Sequence, residues 1–131
     1  MDVVEKAKKI LLEELPGVLA IYVFGSYSSK VQNENSDLDL AVLCDEKLDK
    51  EKLWNISQKI ASFINIDVDL IDLLNASTVF AFQIITKSKI IYCLDEKKKK
   101  SFENKIYSMY LRLNDTRKGI IENIKKRKGI Y

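Results

Sequence analysis

The sequence predicts an α/β (α+β) domain, a small mixed β-sheet flanked by helices. Three observations carry this. Short β-rich apolar runs alternate with helical periodicity in the order α-β-β-α-β-α-β-α. The chain has 131 residues, one domain's length, and is 47% hydrophobic, enough to build a core. No internal repeat or linker divides it, so residues 1–131 read as a single domain.

Each element has its own signal. "DVVEKAKKILLEEL" is an amphipathic first helix, with Asp2 as N-cap and Val3, Val4, Ala7, Ile10, Leu11 and Leu15 on one side. Pro16-Gly17 ends it. "VLAIYVFG" (18–25) is a buried strand between glycines. A polar stretch (26–36) leads to a second strand, "DLDLAVLCD" (37–45). A second helix spans 47–65, with Leu53, Ile56, Ile60, Phe63 and Ile64 on one side and Trp54 expected to be half-buried. "IDVDLIDLL" (66–74) is a third strand, and a short helix starts at Ser77 or Thr78. "KIIYCL" (89–94) is a fourth strand. A last helix runs from about 102 to 124, weakened at Gly119 and followed by a basic tail, 125–131. Its apolar stripe, with Met109 and Leu113, is expected to pack mostly in the core.

Composition excludes several chemistries. The chain has no histidine, which removes Ser-His-Asp and Cys-His catalysis and His-ligated zinc. Its net charge of +3 does not suit a general nucleic-acid coat. No apolar run has the length of a membrane span, and "DVVEKAKK" after Met1 is not a signal sequence. Cys44 and Cys93 are isolated in apolar runs, so buried thiols in a reducing cytoplasm are expected. The lysines at 97–100 read as a solvated turn and those near 125–128 as a frayed end, so no direct nucleic-acid contact is expected. Lys87 and Lys89 either reach a phosphate or decorate a loop.

The chemistry lies in "VFGSYSSKVQNENSDLDLAVL". Strand alternation puts Asp37 and Asp39 on one face, roughly 6–7 Å apart, and Leu38 and Leu40 on the other. Two carboxylates so close repel and resist desolvation. With no lysine or arginine in the strand, a hard divalent ion such as Mg²⁺ is the natural partner, leaving positions for substrate phosphates. The third strand offers Asp67, Asp69 and Asp72. Asp69, in mid-strand, is the expected third ligand, Asp67 sits nearer solvent, and Asp72 opens the following turn. Gly25-Ser26 ends the first strand, where backbone can approach a phosphate. Carboxylate-held metal beside a phosphate cradle suits nucleotidyl transfer.

This Gly-Ser, ten-residue, Asp-x-Asp pattern resembles the polymerase-beta nucleotidyltransferase superfamily. With "VDLIDLLNASTVFAFQIITKSKIIY", the chain looks like the minimal nucleotidyltransferases that act as MntA-type antitoxins beside HEPN-domain toxins. The resemblance implies ATP and Mg²⁺, two ions, with AMP passed to a tyrosine of a HEPN ribonuclease toxin in a hetero-oligomer. It implies metal binding by Asp37, Asp39 and Asp69, and nucleotide contacts from Gly25, Ser26, Lys30 and Ser36. Family members commonly carry an arginine after the Gly-Ser-aromatic. Here the residues are Ser28-Ser29-Lys30, and lysine gives a point charge instead of a bidentate fork. Two alternatives stand beside this reading: transfer to a small molecule or RNA end, and a non-catalytic antitoxin that caps its partner.

Overall fold

In the computed structural model the described residues are 3–25 and 37–128, with side chains described as far as residue 113. The elements are α1 (Val3–Glu14), β1 (Val18–Phe24), β2 (Leu38–Cys44), α2 (Lys50–Ile64), β3 (Val68–Asp72), a 3₁₀ turn (Leu73–Asn75), α3 (Thr78–Lys87), β4 (Lys89–Cys93) and α4 (Glu96–Lys128). The four strands form one mixed sheet in the order β3-β2-β1-β4. β1 runs antiparallel to β2 and β4, and β2 runs parallel to β3.

The central strands are apolar on both faces because helices cover both faces. On one face, α1 and α2 bring Ala7, Ile10, Leu11, Ile56 and Ile60 against Val18, Ile21, Val23, Leu38, Leu40 and Val42. On the other, α3 and α4 bring Ala81, Ile84 and Ile106 against Leu19, Tyr22, Ala41 and Leu43. A register shift between Val18 and Ala20 lets Val18 and Ile21 share a face despite their odd spacing. Burying a leucine or isoleucine side chain stabilises the fold by about 1.5–3 kcal/mol.

Local chemistry sets the ends. Asn65 closes α2 in the left-handed region (φ 59°), and its N–H donates to the Ala61 carbonyl. Ser77 caps α3, its hydroxyl accepting from the Phe80 N–H at 3.2 Å. Asp72 is buried and accepts from the N–H groups of Leu48 (2.8 Å) and Leu74 (3.2 Å), so it opens the turn as expected.

Four expectations fail. α4 starts at Glu96, six residues early, because Asp95 caps it by accepting from the Lys98 N–H at 3.0 Å; its backbone stays helical past Gly119 to Lys128. Lys97–Lys100 are therefore first-turn helix, not a solvated turn. Lys99 is buried, pairing with Glu103 (3.1 Å) and Glu96 (3.4 Å), while the buried Tyr22 hydroxyl donates to Glu103. Trp54 and Phe63 are exposed, because α2 needs only its Ile56–Ile60–Ile64 stripe against the sheet. On α4, Ile106 is buried but Met109 and Leu113 are exposed.

Cys44 is buried and Cys93 half-buried, and both thiols are free. Among the described residues no helix is long and apolar enough to cross a membrane.

Candidate active site

One end of the sheet gathers the predicted carboxylates. Leu38, Leu40 and Val42 enter the α1–α2 core, whereas Ala41 and Leu43 enter the α3–α4 core. By alternation Asp39 falls on the α3–α4 face, near the start of β2. Asp37 stands just before the strand and is exposed. Asp69 pairs with Asp39 in the parallel register and shares its face with Ile71. Asp67 is exposed, and its carbonyl accepts from the Leu38 N–H at 2.9 Å, tying β3 to β2 at this end.

Burial raises the Asp39 carboxyl above the usual carboxylate range, and the charges of Asp69 and then Asp37 raise it further. The ion pairs at Lys59–Glu14, Lys98–Asp45 and around Lys99 involve none of these carboxylates.

Gly25 arrives at the same place from β1. Phe24 is the cross-strand partner of Asp39, so Gly25 follows one residue later. Its φ is +71°, a region L side chains rarely adopt. A Cβ there would overlap Asp39 Oδ2 and sit 3.2 Å from its Cγ. Glycine is needed because the Asp39 carboxylate occupies the space a side chain would take. Ser26, Lys30 and Ser36 lie outside the described residues. Lys89 on β4 pairs with Val23, two residues before Gly25, so it stands at this end of the sheet, whereas sequence alone left it open.

The donor set fits a hard divalent ion in kind, since all three groups are carboxylates. Its closure is incomplete: among the described residues no three acidic or thiol groups converge tightly enough to hold a metal. Bare carboxylates repel one another, and a bound cation supplies the attraction that draws them together. Sequence reasoning overlooked an aromatic pair here. Phe24 meets Phe80 of α3 edge to face, ring centroids 6.3 Å apart. Its only trace in the sequence is the phenylalanine directly before Gly25.

A mixed sheet that sets three carboxylates beside a strand-ending glycine is nucleotidyltransferase architecture. The chain belongs to the polymerase beta nucleotidyltransferase family, whose model matches residues 5–97. Among its relatives, the protein adenylyltransferase MntA of Shewanella oneidensis is 40% identical over 119 residues, covering 91% of this chain and 85% of that protein. A chain from a crystal structure of a toxin–antitoxin with AMP-PNP matches at TM-score 0.83 and 40% identity, covering 92% of this chain and 96% of that one. Another, from a structure of the tri-AMPylated Shewanella oneidensis HEPN toxin in complex with MNT antitoxin, matches at TM-score 0.76 and 35% identity, covering 94% and 98%.

Proposed function

We propose that this chain is a protein adenylyltransferase antitoxin, which moves AMP from ATP onto a tyrosine of a partner HEPN ribonuclease and so silences it. The observation that carries the reading is the pairing of Asp39 with Asp69 beside Gly25 at one sheet end. The family membership and the 40% identity to a protein adenylyltransferase support it.

Asp37, Asp39 and Asp69 would hold Mg²⁺, which when bound would supply charge stabilisation at the α-phosphorus and on the departing pyrophosphate. Gly25 lets backbone approach the phosphates, with Ser26, Ser36 and Lys30 on the nucleotide. The tyrosine oxygen attacks the α-phosphorus, and the bond to the pyrophosphate oxygen breaks. The hydroxyl proton passes to the Asp69 carboxylate. The products are tyrosyl-AMP and pyrophosphate. Free Cys44 and Cys93 fit a cytoplasmic setting, where ATP is also supplied.

The test incubates the chain with α-labelled ATP, Mg²⁺, RNA and a HEPN ribonuclease. Label on the HEPN protein alone is expected. Label on RNA or on a small molecule, with none on protein, refutes the reading.

A further inference from the structure

We infer that Phe24 and Phe80 form the wall on which the nucleobase of the donor nucleotide stacks. The inference rests on the reading that Asp69 receives the acceptor hydroxyl, and it assigns the opposite flank of the site.

The sheet order is β3-β2-β1-β4, so Asp39 on β2 has Asp69 on one side and Phe24 on the other. The acceptor tyrosine comes to the β3 side, where Asp69 takes its proton. The β1 side is left to the donor, whose triphosphate lies at Gly25. Phe24 shares the α3–α4 face with Asp39, as their cross-strand pairing and the burial of Tyr22 in that core require.

Phe80 rises above this flank from the first turn of α3. Ser77 fixes that turn by accepting from the Phe80 N–H. The rings of Phe24 and Phe80 meet at an interplanar angle of 84°, a favoured aromatic geometry. This contact locks the orientation of Phe80, yet the residue stays 37% exposed. A large apolar ring, held rigid and open beside a polar phosphate site, suits the π-face of a purine. Stacking reads no hydrogen-bond pattern, so the wall adds affinity for the base more than selectivity among bases.

The experiment compares binding of magnesium AMP-PNP and magnesium tripolyphosphate to the whole chain, without acceptor, by calorimetry. Phe80→Ala is expected to weaken AMP-PNP by about 5- to 150-fold, the equivalent of ~1–3 kcal/mol for one base on an aromatic ring. Tripolyphosphate, which has no base, should bind unchanged, showing that the phosphate end is intact. Phe80→Leu keeps apolar packing and should lose most of the AMP-PNP affinity, whereas Phe80→Trp should retain it. Equal losses for both ligands would make Phe80 merely structural and overturn the inference. So would unchanged AMP-PNP binding with a raised KM for the protein acceptor. If the unaltered chain bound neither ligand, the nucleotidyl-transfer reading itself would fall, and this inference with it.

Discussion

Replacing Asp39 with asparagine should stabilise the ligand-free protein while abolishing AMP transfer. Asp39 is half-buried, faces Asp69 across the parallel ladder and lies two residues from Asp37. At separations of roughly 6 Å, a like-charge pair costs ~0.7 kcal/mol in water and ~3 kcal/mol at an effective dielectric of 20. Partial exposure favours the lower end, so two neighbours together cost about 1–2 kcal/mol. Asparagine keeps the shape and removes the charge, so Asp39→Asn should gain about 1 kcal/mol at pH 7 in urea denaturation without metal. The sign of the pH dependence follows from the raised Asp39 carboxyl. Below the ordinary carboxylate range Asp39 is protonated in both states and carries no penalty. As pH climbs through its raised folded value, the folded state must ionise it, and wild-type stability falls. The gain should therefore be small near pH 3 and full by pH 7. Added Mg²⁺ should stabilise wild type and leave the variant unmoved. A variant less stable than wild type at pH 7 without metal, or a gain independent of pH, would refute the electrostatic argument.

Other outcomes follow from the same structure. Gly25→Ala should lose AMP transfer and destabilise the fold by about 1–2 kcal/mol, because the methyl overlaps Asp39 Oδ2 and the residue must hold φ +71°; comparing activity with the urea midpoint checks this. Lys99→Met leaves Glu103 with only the Tyr22 hydroxyl among the partners described above and should cost about 2–4 kcal/mol, read in the same denaturation. Asp72→Ala removes the acceptor of the part-buried N–H groups of Leu48 and Leu74 and should cost about 1–3 kcal/mol each way it is measured, by heat or by urea. At temperatures where it stays folded, its AMP transfer should persist, since Asp72 lies on the sheet face away from Asp69.

Much of this architecture was legible in local pattern. The two-residue period of "DLDLAVLC" put Leu38 and Leu40 on the face of one core and Asp39 on the other. The continuous apolar run "VLAIYVF" marked a strand covered on both sides, which is the place β1 takes. Ser77 announced α3 because a cap depends on residues close in sequence. Asp95-Glu96 carries the same signal for α4, and the four lysines after it, which read as a turn, continue the helix because lysine is a good helix former. Exposure was less legible. Trp54 and Phe63 lie outside the stripe that α2 buries, and only the docking angle on the sheet decides where that stripe ends. Lys99 looked like one charge in a run, because its acidic partner Glu103 had not been placed on the same helix face.

The site divides in the same way. Asp37 and Asp39 are neighbours in sequence, so their spacing spoke directly. Asp69 lies thirty residues on, and its pairing with Asp39 depends on the parallel register of β2 and β3. The hydrophobic pattern predicts Asp69 in mid-strand, whereas it is the second residue of β3 and is exposed. The contact between Gly25 and the Asp39 carboxylate, and the meeting of Phe24 with Phe80, arise from strands and a helix brought together by topology. No local pattern carries such contacts. Ser26, Lys30 and Ser36 lie outside the described residues, so their nucleotide contacts are part of the proposal.

The central claim is that this chain silences its partner by chemistry, not by covering it. The direct measurement compares wild type with the Asp37→Asn, Asp39→Asn double variant, each incubated with the HEPN toxin and ATP labelled at the α- or the γ-phosphate. Wild type should put α-label, and no γ-label, on a toxin tyrosine while ribonuclease activity falls. The double variant should bind the toxin, transfer nothing and leave the ribonuclease active. A double variant that suppresses the ribonuclease as fully as wild type, with no label on the toxin, would contradict the account.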